Sequence, residues 1–121
     1  MEDRIRFIDH QSQQILLVDL SNCPVNQLET LIRSVPDYIT VQPLGSVLVL
    51  TDFTGTAFDR DAIRAVKETA VFDKPFVKKS ALVGMEGLPA SFYEELKSFS
   101  RREMTIFKNR DAALAWLTAN A

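Results

Sequence analysis

The stretch TDFTGTAFDRDAI, which begins at residue 51, carries acids and hydroxyls where a hydrophobic run passes into a helical pattern. Thr54 and Thr56 flank Gly55, and hydroxyls and backbone N–H groups in such a turn can bind an anion at a helix N-terminus. The carboxylates of Asp52 and Asp59 would repel a fully charged phosphate. Turn formation and helix capping are therefore the favoured interpretation, with Asp59 as the N-cap residue.

Cysteine and histidine offer little scope for catalysis or metal binding. Cys23 is the single cysteine, and a semi-buried, unreactive thiol is the favoured interpretation because no histidine lies near it in the sequence. His10 is the single histidine and falls in the first predicted turn, which rules out a multi-histidine zinc site and disfavours a catalytic triad. The sequence therefore predicts no catalytic residues, no metal site and no cofactor.

Predicted strands and helices alternate along the chain, and these elements must position the side chains discussed above. RIRFID alternates apolar and charged residues, as a half-exposed edge strand does, and it forms a hairpin with ILLVDL. ILLVDL, SVLVLTDF and VKKSALVG are apolar runs typical of strands buried on both faces, and EMTIF is a final short strand. The order β-β-α-β-α-β-α-β-α predicts an α/β fold with a mixed, mainly parallel β-sheet flanked by helices.

The first helix is predicted from apolar residues at helical spacing. Val25, Leu28, Ile32 and Val35 form one stripe, and Pro36 ends it. Pro24, which precedes the stripe, suits a helix start because its missing N–H costs nothing there.

Three more helices follow the later strands. The second begins at Asp59 and stops before Pro75, since the residue before a proline is pushed out of the helical region. The third places Phe92, Leu96 and Phe99 on one face, and the fourth is capped by Asn109.

The polar groups of interest follow the strands. In an open α/β sheet, ligands bind outside the carboxyl ends of the parallel strands, which here are SNCP, DFTGT and GMEG. We therefore expect these three loops to converge at one edge of the sheet. The predicted ligand- or partner-binding residues are Ser21, Asn22, Cys23, Asp52, Thr54, Gly55, Thr56, Gly84 and Glu86.

Composition narrows the classes of function. The 121 residues, 46% of them hydrophobic, are expected to form a single domain over 1–121. The formal net charge of -2 gives no basic footprint for nucleic acid. No apolar run approaches the roughly 20 residues of a membrane-spanning helix. The lone cysteine and the polar start MEDRIRFIDH, which lacks a signal peptide, favour a soluble protein of the cytoplasm.

Three stretches of the sequence resemble a known protein family. SVLVLTDFTGTAFDRDAI, KPFVKKSALVG and MTIFKNRDAALAWL resemble the STAS/SpoIIAA-like superfamily, in particular its small bacterial stand-alone domains of uncharacterised function. The resemblance spans nearly the whole chain and implies a mixed sheet flanked by helices. It also implies a regulatory or ligand-binding role rather than catalysis.

One departure from that resemblance concerns regulation. The anti-sigma-factor antagonists of the superfamily carry an Asp-Ser-Ser or Asp-Ser-Thr phosphorylation motif just before the second helix. This chain has Asp59-Arg60-Asp61 there, so no hydroxyl occupies the phosphoacceptor position. We expect Asp59 to start the helix without serving as part of a phosphorylation switch.

The sequence therefore favours two classes of function. The first is a non-enzymatic regulatory or protein-interaction module, whose partner is a protein or a small molecule. The alternative is a carrier or sensor of a small amphipathic or lipid-like ligand, in keeping with the 8 phenylalanines. An enzyme ranks third. A weak homodimer is also expected from the exposed aromatic and apolar side chains of the helices, including Phe72, Phe76, Tyr93 and Trp116.

Overall fold

A computed structural model describes residues 4–89, 91–100 and 104–119. The helices and strands follow the predicted order. They are β1 (Ile5–His10), β2 (Gln13–Asp19), α1 (Val25–Ile39), β3 (Val47–Asp52), α2 (Arg60–Asp73), β4 (Val77–Val83), α3 (Phe92–Ser100), β5 (Met104–Phe107) and α4 (Arg110–Thr118). The fold is α/β, as predicted.

The five strands form one mixed sheet in the order β1-β2-β3-β4-β5. β1 runs antiparallel to β2, whereas β2, β3, β4 and β5 pair in parallel. The larger core lies between one face of the sheet and α1, α2 and α3. α4 packs against β3 and β4 on the other face, over a smaller core that contains Ala113 and Leu117.

The hairpin at the start of the chain confirms β1 as an edge strand. Gln11 and Ser12 join β1 to β2 and have φ angles of 52° and 65°. Positive φ at both central residues is the geometry of a two-residue type I′ turn, whose twist matches that of the strands. Along β1, Ile5 is buried and Arg6 is exposed, as the alternating pattern predicted.

α1 and its buried stripe continue beyond Pro36, so the prediction that this proline ends the stripe was wrong. The helix extends to Ile39, which is only 1% exposed and lies one turn after Val35. Burial of that side chain offsets the hydrogen bond that the proline cannot donate. The carbonyl of Pro36 still accepts a hydrogen bond from Thr40 N at 2.9 Å. Val25, predicted to lie in the buried stripe, is exposed at the start of the helix.

α3 differs from its prediction at one position. Phe92 and Leu96 are buried, but Phe99 is 55% exposed. The buried positions follow the spacing i, i+4, i+8 and end at Ser100, so the buried face turns away from Phe99. A large aromatic side chain is therefore left on the surface.

The predicted helix caps are confirmed. Asp59 accepts a hydrogen bond from Ala62 N at 2.8 Å, and Asn109 accepts one from Ala112 N at 2.9 Å. α2 ends at Asp73, and a 3-10 turn over Lys74–Phe76 carries the proline. Among the residues that the structure describes, no helix combines the length and the apolar character needed to cross a bilayer.

Candidate functional site

The three predicted loops converge at the carboxyl edge of the sheet. Asn22 N donates to the Thr54 carbonyl at 2.8 Å, which joins the loop after β2 to the loop after β3. Phe53 N donates to the Val83 carbonyl at 2.8 Å, which joins the loop after β3 to the end of β4. Parallel pairing brings these ends together because it aligns the strands in the same direction.

The ends of β2 and β3 are built in the same way. Asp19 Oδ1 accepts hydrogen bonds from both the backbone N–H and the hydroxyl of Ser21. Asp52 Oδ1 accepts the equivalent bonds from Thr54, at 2.9 Å from N and 2.6 Å from Oγ1. The two aspartates pair in register across the sheet. The sequences Asp-Leu-Ser and Asp-Phe-Thr are thus one turn used twice, in which the aspartate fixes the backbone two residues later.

Each of these turns is followed by a residue with positive φ. Asn22 has φ of 51° and Gly55 has φ of 68°. A Cβ atom at Gly55 would lie 2.2 Å from Asn22 Oδ1. Gly84 after β4 also has a positive φ of 77°, and a Cβ atom there would lie 2.4 Å from the backbone N of Thr54. The close approach of backbone therefore requires glycine at 84, whereas at 55 the positive φ favours glycine and the Asn22 side chain could move aside.

Arg110 contacts both aspartates from the face of the sheet that α4 covers. It is the first residue of α4, and its Nη2 lies 3.1 Å from Asp19 Oδ1. Its Nε lies 2.7 Å from Asp52 Oδ2. The Asp52 side chain is only 7% exposed, whereas that of Arg110 is 36% exposed, so the carboxylate of this ion pair is shielded from solvent and the guanidinium is partly exposed. One guanidinium thus bridges the ends of two neighbouring strands.

The charges in this bridge stabilise each other. Burial opposes ionisation of Asp19, but the hydrogen bonds from Ser21 and the positive charge of Arg110 outweigh it, and the pKa of Asp19 is lowered. Burial likewise opposes the charge on Arg110, and its contacts with Asp52 and Asp19 outweigh that effect, so the pKa of Arg110 is raised. Both groups are therefore charged at neutral pH.

Arg4 holds the same loop from its other side. Its Nη1 donates to the carbonyl of Asp19 at 3.1 Å and to the carbonyl of Ser21 at 2.8 Å. The backbone N–H of Asp19 in turn donates to the carbonyl of Arg4 at 2.7 Å. The turn after β2 is therefore fixed by contacts from β2, β3 and the residue that precedes β1.

Thr56 and Cys23 lie beneath this surface and not on it. They are 3% and 5% exposed. The Thr56 hydroxyl donates to the carbonyl of Leu20 and accepts a hydrogen bond from Cys23 N at 3.3 Å. It is a buried link between the two loops, and neither side chain is placed to meet a ligand from solvent.

The remaining predicted site residues divide by exposure. Asn22, Thr54, Gly55 and Glu86 are exposed, whereas Gly84 is buried. Glu86 lies in a 3-10 turn over Met85–Gly87, directly after the end of β4. A binding role for these residues stays a prediction.

Sequence reasoning missed Asp19 and Arg110. The repeated pattern of aspartate, apolar residue and hydroxyl after two buried strands could have identified Asp19. Arg110 has no comparable signal, because its contacts depend on where α4 crosses the sheet. Within residues 4–89, 91–100 and 104–119, no three histidine, cysteine or acidic side chains cluster as metal ligands would.

Comparisons with protein-family models, curated proteins and solved structures found no significant match.

Proposed function

We propose that this protein is a non-enzymatic regulatory or protein-interaction module of the STAS-like type, and that it docks partners on the carboxyl edge of its sheet. The supporting observation is that the polar side chains at this edge bond to one another. The carboxylates of Asp19 and Asp52 accept bonds from Ser21, Thr54 and Arg110.

This arrangement suits recognition better than acid–base or nucleophilic chemistry. A nucleophile needs a hydroxyl or thiol within reach of a base that can accept its proton at the working pH. Here, the hydroxyl of Thr54 bonds to a carboxylate that Arg110 already neutralises, and Thr56 is buried. A surface fixed in advance loses little conformational entropy when a partner binds, which favours affinity.

The proposal does not include a phosphorylation switch. Asp59 caps α2 at the position where STAS-like antagonists have their phosphorylation motif, and Arg60 and Asp61 follow it. The exposed hydroxyl that precedes Asp59 most closely in the sequence belongs to Thr54, and it donates to Asp52 at 2.6 Å. A phosphate on Thr54 would lie beside that carboxylate and would be repelled.

The carrier alternative has less support from the core. The apolar cavity between the sheet and the helices measures about 60 Å³ and is lined by residues that include Val49, Phe53 and Leu82. Pockets for drug-sized ligands are typically about 300–1,000 Å³. An amphipathic ligand would therefore have to open the core before it could bind there.

The proposal places the module in the cytoplasm and includes a weak homodimer. Phe72 is 63% exposed and Val71 is 45% exposed at the end of α2, which leaves apolar surface for self-association. Phe76 and Tyr93 pack partly against the larger core, and Trp116 packs against Phe107 at a centroid distance of 5.4 Å. These three aromatics contribute less surface than their sequence positions suggested. Light scattering at high protein concentration tests the dimer, and monomer alone would reject it.

Native mass spectrometry of freshly purified protein tests the proposed function. We expect the protein to carry no small molecule and to be recovered with a protein partner or a second copy of itself. A stoichiometric small molecule, released on denaturation and rebound on refolding, would support the carrier instead.

A further inference from the structure

A surface groove of about 330 Å³ lies between α2 and the end of α3. One face of α2 supplies Arg60, Ile63, Arg64, Lys67 and Glu68, at the spacing i, i+3, i+4, i+7, i+8 that places side chains together on a helix. Phe99 closes the groove from α3. The groove begins where the loop after β3 ends, so it adjoins the carboxyl edge.

The positively charged side chains in this groove differ in whether they form ion pairs. Lys67 pairs with Glu95 at 2.8 Å, and Glu68 pairs with Arg33 at 3.0 Å. Arg60 and Arg64 are exposed and form no ion pair within the part of the chain that the structure describes. The groove therefore presents two available guanidinium groups on a protein whose formal net charge is -2.

An apolar contact lies beside these charges. Phe99 is 55% exposed, although phenylalanine is among the residues most often fully buried. Ile63, half-buried between Arg60 and Arg64, packs against the larger core. A ligand that fits here combines carboxylates with an apolar side chain, because guanidinium groups bind carboxylates in two-point contacts and the aromatic ring offers an apolar face.

We infer that the α2–α3 groove binds an acidic segment of a partner protein, with carboxylates on Arg60 and Arg64 and an apolar side chain against Phe99. This inference rests on the proposed function as an interaction module, and it names the chemistry of the partner. Grooves between helices are a recurrent site for short segments of partner proteins.

Charge complementarity favours an acidic peptide over an anionic membrane. Membrane recognition by charge commonly uses about four to eight basic residues in one cluster. This groove has three cations, one of which is paired with Glu95, and the exposed acids Asp59 and Asp61 flank its start. Glu68, the acid that lines the groove itself, is paired with Arg33, so the charges that remain for a ligand are those of Arg60 and Arg64.

Fluorescence anisotropy provides the test. The probes are fluorescein-labelled short peptides in which glutamate alternates with leucine or phenylalanine, and each has a counterpart with glutamine in place of glutamate. We expect the acidic peptides to bind the wild-type protein and their glutamine counterparts to bind far more weakly. Added salt should weaken the binding, because exposed charges are screened.

Variants locate the binding. The double variant Arg60→Gln/Arg64→Gln should weaken it by about 5- to 30-fold, as expected for two exposed charge contacts. Phe99→Ala should weaken it as well, for peptides that contain phenylalanine. Lys74→Gln/Lys78→Gln is the matched control, because it removes the same charge from exposed residues outside the groove and should leave the affinity unchanged.

Three results would overturn the inference. The first is equal affinity for the acidic peptides and their glutamine counterparts. The second is an equal loss of peptide affinity in the groove variant and the control variant. The third is binding to vesicles of anionic phospholipid that depends on Arg60 and Arg64, with no binding of the peptides. None of these bears on docking at the carboxyl edge, which is tested at different residues, so that the two proposals fail separately.

Discussion

Arg110 Nε lies 2.7 Å from Asp52 Oδ2, and this contact ties the first residue of α4 to the last residue of β3 through the edge of the sheet. Arg110 also reaches Asp19 at the end of β2. The N-terminus of α4, the helix that covers the smaller core, is therefore bound through these ion pairs to the loops of the candidate site. Stability of α4 and order at the carboxyl edge should depend on each other.

Replacing Arg110 by glutamine should destabilise the protein by about 1–3 kcal/mol, because the shielded carboxylate of Asp52 loses its charged partner. Urea unfolding at neutral pH measures the loss in the free energy of unfolding. Arg33→Gln is the control, since Arg33 pairs with Glu29 and Glu68 on the exposed surface, where ion pairs contribute little. Equal losses in the two variants would contradict a special role for the Arg110 bridge.

The lowered pKa of Asp19 predicts a defined pH dependence. A carboxyl group with a lower pKa in the folded state contributes stability above its ordinary pKa, about 3.8, and loses it as the pH falls through the folded value. Ser21→Ala removes the hydroxyl donor, so it should lower stability at pH 7. That difference from wild type should shrink as the pH falls through the lowered pKa of the folded protein, because the carboxyl group then becomes protonated in both proteins. Urea midpoints measured across this range would refute the assignment if the difference stayed constant.

Gly84 and Gly45 make a matched pair of substitutions. Both have positive φ, but a Cβ atom at Gly84 would lie 2.4 Å from Thr54 N, whereas one at Gly45 would have no atom within 4 Å. Gly45→Ala should cost about 1–2 kcal/mol from backbone conformation alone. Gly84→Ala should cost clearly more, because the turn after β3 must move. Thermal unfolding that ranks the two variants equally would show that the loops do not need their close packing.

Thr56 and Thr54 should differ in their contribution to stability. The buried hydroxyl of Thr56 bridges Leu20 and Cys23, so Thr56→Val should cost about 1–3 kcal/mol by leaving buried backbone groups without that partner. Thr54 is exposed, and Thr54→Val leaves the backbone bond from residue 54 to Asp52 in place. The burial of Thr56 therefore makes its hydroxyl the more important of the two for stability. Chemical denaturation of both variants measures the loss in the free energy of unfolding. A larger loss in Thr54→Val than in Thr56→Val would contradict this prediction.

Local pattern was sufficient to predict the fold. The apolar strands, the caps at Asp59 and Asn109 and the alternation along β1 are each determined by residues close together in the sequence. The prediction failed at Pro36 and Phe99 because packing of the helices against the rest of the fold decided which side chains are buried. Ile39 continues the buried stripe of α1 past the proline, and Ser100 takes the buried position that Phe99 was expected to hold.

The candidate site was predictable only in part. Strand polarity was enough to predict that the loops after β2, β3 and β4 converge, because parallel strands end at the same edge. The bridge from Arg110 to Asp19 and Asp52 was not predictable. It joins residues 58 or more positions apart, and its geometry depends on how α4 crosses the sheet.

Site-specific photo-crosslinking in the native cells tests docking at the carboxyl edge most directly. A photoreactive aromatic residue is placed at Ala57 or Glu86, both exposed at that edge, and at Lys78, which is exposed near the amino end of β4, as the control. We predict a crosslinked protein of the same mass from both edge positions and none from Lys78. Crosslinks from Lys78 alone, or no crosslink from either edge position, would contradict the proposal that partners dock on this edge.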